Sequence, residues 1–214
     1  MKSTFNLILF LALFLFVAAF NQANAQSEIV LIEEESQIWI EGSSTVADIY
    51  CKALEIIGYA TIENVNTNNP SELTNGNNGE VRLKIPVYDF DCGRRQMNRD
   101  FYRALRAEIY PSIEFSYVSA KLVTNLDPEC APFQLDVKGV LTVAGVKKDV
   151  SVLVDIEPCE LNRFILKGSK KIKMTDFGIE PPSAMFGLIR AHDELEVFFS
   201  LTAEQRSSIQ ALEN

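Results

Sequence analysis

Residues 110–118 read Tyr-Pro-Ser-Ile-Glu-Phe-Ser-Tyr-Val, which is the most informative stretch of the chain. Ile113, Phe115 and Tyr117 alternate with serines and a glutamate, which is typical of a β-strand with one apolar face and one hydrated face. Pro111 stands at the entrance of the strand, where its missing N–H breaks no ladder. The stretch predicts a sheet that covers something apolar.

The same alternation recurs in segments 81–87, 133–143, 150–156, 164–174 and 195–201. Residues 37–40 and 45–60 are predicted as further strands, the second from its apolar and β-branched content, since its alternation has no clear phase. Eight sequential antiparallel strands joined mostly by short turns close into an up-and-down barrel, which leaves no exposed sheet edge. The sequence therefore predicts a mainly β fold, an eight-stranded antiparallel up-and-down β-barrel with one inserted helix. An open sandwich is the main alternative.

The inserted helix is predicted over residues 91–107, between the third and fourth strands. Met97, Phe101, Ala104 and Leu105 recur at helical spacing and form one apolar stripe, with Asp91 as the expected cap. We expect this stripe to close one end of the barrel.

Four arginines, Arg95, Arg99, Arg103 and Arg106, share the opposite side of the helix. Like charges at this spacing repel each other by a few tenths of a kcal/mol. Two interpretations are open. The row is a solvated face neutralised by neighbouring acids, or it is a landing site for a phosphate headgroup or an anionic membrane surface.

The N-terminus predicts export. Residues 1–25 combine an early Lys2, an apolar run and the small-residue sequence Ala-Asn-Ala, as in a secretory signal peptide cleaved after Ala25. The expected divisions are a signal peptide at 1–25, an N-terminal segment at 26–36, the barrel at 37–203 and a polar tail at 204–214. The protein is thus expected to be periplasmic or secreted.

The mature chain would carry 19 basic and 29 acidic residues, a net charge of −10. This balance disfavours a nucleic-acid partner, because phosphates would repel the protein.

Cys51, Cys92, Cys130 and Cys159 all lie in the exported part, and an even count there suggests two disulfides. Because strand direction alternates, Cys51 and Cys92 fall at one end of the barrel and Cys130 and Cys159 at the other. We expect these two pairings. No metal site is expected, since the cysteines are widely spaced and the chain has one histidine.

Five segments carry a resemblance to a known family: 41–45, 97–100, 110–115, 139–146 and 174–179. In this order they resemble the YceI-like family, also called the polyisoprenoid-binding protein family, over roughly residues 41–200. The resemblance implies a lipocalin-like barrel whose elongated apolar tunnel holds an isoprenoid chain.

Thirteen uncharged side chains are predicted to face the barrel interior and contact such a lipid: Ile113, Phe115, Tyr117, Phe133, Leu135, Val137, Val152, Val154, Phe164, Leu166, Leu195, Val197 and Phe199. From the residues alone, a ligand tunnel and a packed core are both open. The candidate headgroup contacts are Arg95, Arg99, Arg103 and Asp176.

The expected function is non-enzymatic binding or transport of an isoprenoid lipid of the quinone or polyprenyl phosphate class, with no cofactor besides that lipid. Transient contact with an anionic membrane surface is also expected, and Met185 and Phe186 are either a lid at the mouth or ordinary packing. The alternative is a secreted interaction module with a solid core. No catalytic residue is expected, because His192 has no nucleophile motif near it. Monomer and dimer are both open.

Overall fold

The computed structural model describes residues 27–62, 79–123, 132–160 and 163–207. Within them lie twelve strands and one α-helix. The strands are β1 (Ser27–Ser43), β2 (Asp48–Ala53), β3 (Ile57–Ile62), β4 (Gly79–Pro86), β5 (Phe90–Asp91), β6 (Ser112–Leu122), β7 (Phe133–Val143), β8 (Val146–Glu160), β9 (Arg163–Lys173), β10 (Ser183–Ala184), β11 (Ile189–Arg190) and β12 (Glu194–Ser207); the helix is α1 (Arg95–Ala104). Short 3-10 helices occupy Val87–Asp89, Met174–Phe177 and Met185–Gly187.

Ten of the strands form one antiparallel sheet that closes on itself, because β12 pairs with β1 as well as with β9. β2 and β3 share one position in the barrel, since both pair with β1, one at each end. β4 and β5 likewise continue one another, because β4 pairs with β3 and β5 with β2. The barrel thus has eight strand positions, and the predicted up-and-down barrel with an inserted helix is confirmed.

The first strand begins at Ser27, before the predicted start at Gln37. The acidic run at 33–35 hides this continuity, and the β1–β12 ladder does shift register between Ile32 and Gln37. Such a shift is a β-bulge. At the bulge the buried Ser36 hydroxyl accepts the backbone N–H of Thr202 at 3.0 Å.

The second strand position is broken where a single strand was predicted. Between β2 and β3 the chain leaves the ladder, and the N–H of Leu54 donates to the carbonyl of Asp89 at 2.8 Å. Ile56 follows and is buried in the core. The break lets both segments stay paired with β1 on either side of the bulge.

The helix begins later than predicted, and its N-cap residue is Arg94 instead of Asp91. The Asp91 carboxylate accepts the N–H of Gly93 at 2.9 Å and the side-chain amide of Asn98 at 3.1 Å. These bonds, that of Asn98 first, lower the pKa of Asp91. Asp91 therefore fixes the turn before the helix and does not cap the helix itself.

The β7–β8 hairpin has the two-residue turn that the sequence predicts. Ala144 and Gly145 both have positive φ, 49° and 82°, as a type I′ turn requires. Arg106 donates to the Ala144 carbonyl at 2.9 Å and lies 5.0 Å from the centre of the Tyr110 ring. The segment after the helix is thus fastened to this turn.

One of the two predicted disulfides lies in the described residues and is present: Cys51 of β2 is bonded to Cys92, just before the helix. Both are buried in the core beside Ile40 and Phe90. Cys130 lies outside the described residues, so its pairing with Cys159 stays a prediction.

Replacing Cys51 and Cys92 together by Ala should lower the free energy of unfolding by about 4 kcal/mol, because the bridge closes a loop across 41 residues. Urea denaturation of the wild type and of the double variant measures this difference. Wild type unfolded under reducing conditions should match the variant if the other cysteines contribute little. Equal midpoints for oxidised wild type and variant would contradict the expectation.

Mass spectrometry of an unreduced digest should show one peptide pair joined through Cys51 and Cys92 and a second joined through Cys130 and Cys159. The second pair is expected from the sequence, because alternating strand direction would bring Cys130 and Cys159 to the same end of the barrel. The structure places Cys159 near the end of β8, where a turn was predicted. A peptide linking Cys92 to Cys159 would contradict both assignments.

Candidate ligand-binding site

The barrel encloses one continuous cavity of about 1040 Å³, at the upper end of the usual range for small-molecule sites. All thirteen side chains predicted to face the interior line it. The wall also includes four aliphatic residues from strands near the start of the chain: Ile38, Ile40, Leu83 and Ile85. The barrel therefore has an open bore and is not filled by its own side chains.

Two strand glycines help to keep the bore open. A Cβ at Gly139 would collide with the ring of Phe115, and one at Gly168 would lie 2.6 Å from Cζ of Phe199. The two rings therefore lie close against the backbone of a neighbouring strand, a contact that only glycine allows. Aromatic side chains at these positions occupy the wall and leave the centre free.

Tyr117 adds a polar group to this wall. Partial burial raises the pKa of its phenol, opposed by a hydrogen bond with the backbone of Ala120. At neutral pH the wall thus presents a neutral hydroxyl here.

The predicted apolar stripe of the helix does close one end of the barrel, called the helix end below. Met97, Phe101, Ala104 and Leu105 all line the cavity. The Tyr102 hydroxyl donates towards the carbonyls of Tyr88 and Phe90 at 3.0 and 2.9 Å, and so fastens the helix to the barrel. The helix does not cover the whole of this end, and an opening to solvent remains beside it.

Exposed residues in the cavity wall mark an opening at the helix end. Val46, Ala47, Asp48 and Tyr50 of the β1–β2 turn region are exposed and line the cavity, and so does Arg94 at the start of the helix. The opening lies between this turn, the helix start and the connector at 182–189, whose Pro182, Ser183 and Ile189 complete the rim. We call it the mouth.

The connector is held beside the β1–β2 turn by polar contacts. Thr45 N–H donates to the Arg190 carbonyl at 3.0 Å, and the N–H of His192 donates to the Ser43 carbonyl at 2.8 Å. The His192 ring also hydrogen-bonds the Ser43 hydroxyl at 2.8 Å. His192 is exposed, follows the connector in the chain and joins it to the β1–β2 turn.

A second anchor of the connector is Asp193. Its carboxylate accepts the Thr175 hydroxyl at 2.7 Å and the Thr175 N–H at 2.9 Å. The hydroxyl bond is the main cause of a lowered pKa for Asp193. The rim beside the mouth is therefore fixed by charge-assisted bonds on one side and by the Ser43 contacts on the other.

The four candidate headgroup residues lie outside the cavity wall. Arg99 donates to Gln96 at 2.6 Å and Arg103 pairs with Asp100 at 3.0 Å, while Asp176 is exposed in a 3-10 helix. Arg95 is also exposed, on the outer side of the helix. Arg94, one residue before the predicted row, is the arginine that lines the mouth.

Lys170 is a charged wall residue that the sequence interpretation missed, as are Asp48, Arg94 and Asp100. It lines the cavity from β9, in phase with Leu166 and Ile172. Within the described residues, its side chain makes no hydrogen bond or ion pair. Its shared phase with these apolar neighbours is the signal that could have identified it.

The wall next to Lys170 has a seam. The β8–β9 ladder starts at the pair Val154 and Gly168 and runs away from the helix end. Residues 146–153 and 169–173 are all described, yet they form no ladder pairs with one another. Lys170 thus has a strand partner on one side only, where it lies opposite Val197.

Metal-ligand clusters and long apolar helices are both absent from the part of the chain that the structure describes. No cluster of three or more histidine, cysteine or acidic side chains there could hold a metal ion. No helix in the same residues has the length and apolarity to cross a bilayer.

Comparison with solved structures shows the same fold at low sequence identity. BcnA of Burkholderia cenocepacia superposes with a TM-score of 0.63 at 17% identity, covering 79% of this chain and 96% of that one. A polyisoprenoid binding domain from Saccharophagus degradans, implicated in plant cell wall breakdown, gives 0.62 at 14%, covering 85% and 99%. The YceI protein of Campylobacter jejuni gives 0.52 at 14%, covering 74% and 84%.

No curated protein matches the chain. The sequence profile of the YceI-like domain matches residues 39–203, close to the predicted barrel. This match covers most of the chain, so the protein belongs to the YceI-like domain family.

Proposed function

We propose that this protein binds a polyisoprenoid lipid in its barrel without chemically changing it. The observation that carries the proposal is the open apolar bore of about 1040 Å³ with a mouth at the helix end. A lipid of this class is a long, slender hydrocarbon, and an eight-stranded barrel is wide enough for one such chain. The solved Saccharophagus degradans domain is named as polyisoprenoid binding, which supports the same ligand class here.

Burial of hydrocarbon is sufficient for useful affinity. About ten carbons at roughly 0.8 kcal/mol each give about 8 kcal/mol, which corresponds to micromolar binding before entropy costs. A longer buried chain binds more tightly. The wall needs no special polar chemistry to hold the tail, so the fine choice between a quinone and a polyprenyl phosphate depends on the headgroup.

Carriage outside the cytoplasm fits this activity. The predicted signal peptide at 1–25 would export the protein to the periplasm or beyond, where a water-insoluble lipid needs an enclosed carrier to leave a membrane. The alternative of a secreted interaction module with a solid core is disfavoured by the bore.

Contact with a membrane would allow loading, and we assign it to the loops at the mouth. These loops carry four strongly exposed apolar side chains, those of Val46, Met185, Phe186 and Leu188, and the Phe186 side chain is fully exposed. Met185 and Phe186 have φ of 51° and 58°, an unfavourable backbone for such residues. Fully exposed apolar side chains next to a lipid cavity are suited to insertion into the interfacial region of a bilayer.

Blocking the bore should abolish lipid binding while leaving the fold intact. Val152→Trp places an indole in the cavity, whereas Leu153→Trp places it on the outer face, where Leu153 is exposed. We expect binding of geranylgeraniol, followed by native mass spectrometry, to fall at least tenfold in the first variant and to stay near wild type in the second. Circular dichroism checks the fold of both.

Wild type purified without detergent should also release a long-chain lipid on solvent extraction. The proposed function is wrong if the protein is free of lipid and does not bind added geranylgeraniol. It is also wrong if both tryptophan variants bind as wild type does.

Membrane contact is tested by replacing Phe186 and Leu188 by Asp. Losing their insertion should weaken binding to phosphatidylcholine–phosphatidylglycerol vesicles, measured by co-sedimentation, by at least about a hundredfold, since each buried Phe or Leu contributes roughly 1.5–3 kcal/mol. Val118→Asp, at an exposed site on the barrel side, is the control.

A triple variant with Glu at Arg95, Arg99 and Arg103 separates electrostatic landing from insertion. If it alone loses vesicle binding, the arginine row is the contact surface and the assignment to the mouth loops is wrong. If the control loses as much binding as the Asp variant, insertion at the mouth is likewise excluded.

A further inference from the structure

The strand β9 separates its lysines by face. Lys167 pairs with Glu157 at 2.7 Å, and Lys171 lies 3.3 Å from Glu194. Lys170 is on the other face and lines the cavity. Two lysines of this strand are therefore ordinary surface ion pairs, and one is directed into an apolar chamber.

No described carboxylate forms an ion pair with Lys170, although Asp48 of β2 and Asp100 of α1 also line the cavity. Strand register places Lys170 level with Val197 of β12, Ile40 of β1 and Cys51 of β2, all of which line the cavity. Across the seam, the nearest lining residues of β8 are valines, Val152 among them. A charged ammonium in such a chamber is unfavourable unless an anion or a hydrogen-bond acceptor reaches it.

The position of Lys170 also suits a ligand with a head and a tail. It is three residues from the end of β9 at Lys173, so it lies about 10 Å below the rim at the helix end. From Lys170 to Arg163 the strand continues for about 23 Å along the apolar bore. A headgroup held at Lys170 would leave that length of bore for hydrocarbon.

We propose that Lys170 holds the phosphate of a prenyl phosphate inside the barrel, with the isoprenoid tail extending away from the mouth. The proposal rests on the lipid-binding function proposed above and specifies the ligand class. An ammonium donates up to three hydrogen bonds, and phosphate is the acceptor that also neutralises its charge. At the mouth, Arg94 places a second positive charge opposite in sign to the exposed Asp48, so Lys170 is the positive wall residue that remains once the phosphate has passed this rim.

The test compares two probes that share a tail, geranylgeranyl phosphate and geranylgeraniol. Wild type should bind the phosphate at least tenfold more tightly than the alcohol, because a charge-assisted hydrogen bond forms with the phosphate only. Lys170→Met should remove this preference and leave the affinity for the alcohol within about twofold, since methionine fills a similar space. Lys170→Arg keeps the charge and should keep the preference.

Lys171→Met is the matched control, because Lys171 is the neighbouring lysine on the outer face. It should retain the wild-type preference. A preference lost equally in Lys170→Met and Lys171→Met would show a general charge effect and overturn the assignment.

The two proposals fail in different ways. If wild type binds neither probe, lipid binding itself is wrong. If wild type binds both probes equally well and Lys170→Met changes neither affinity, the cavity binds lipid but Lys170 does not anchor its headgroup. If Lys170→Met instead weakens binding of a prenylated quinone and not of the phosphate, the phosphate assignment is overturned.

Discussion

The structure depends on the antiparallel pairing of β1 with β12, which joins the first strand to the last. Once this ladder is formed, each of the eight strand positions of the barrel has a neighbour on both sides, and one apolar face per position is turned into a closed space. Those faces can contact each other only across the bore. Because Phe115 and Phe199 lie against Gly139 and Gly168 instead of reaching the centre, the apolar faces do not meet and the bore remains.

The helix end combines rigidity with an opening. The Cys51–Cys92 bridge fixes the start of α1 to β2, and Arg106 fixes the segment after the helix to the β7–β8 turn. The helix therefore covers the bore as a fastened cap. The connector at 182–189, which carries the exposed Phe186, borders the mouth that remains. Any ligand that enters here meets apolar loop tips first and Arg94 next.

Most of the barrel could be predicted because strand alternation has a strict period of two. Once Ile113 and Phe115 are assigned inward, the inward set of each strand follows from parity. Lys170 was not predicted to face the cavity, because β9 is rich in lysine and Gly168 interrupts the apolar face of this strand. The start of β1 was not predicted because a bulge absorbs the acidic run. The sequence left the arginine row open between a solvated face and a landing site, because a helical projection does not show that Arg94, just before the helix, borders the mouth.

Affinity and selectivity have separate origins in such a cavity. Hydrocarbon burial grows with every carbon and is the same for any tail of equal length, so the apolar wall cannot distinguish a prenyl alcohol from its phosphate. Discrimination requires a polar group that is left unsatisfied by the wrong ligand. In the described wall, Lys170 is a half-buried charge beside apolar neighbours that forms no ion pair or hydrogen bond there, so it has the position from which a headgroup can be selected.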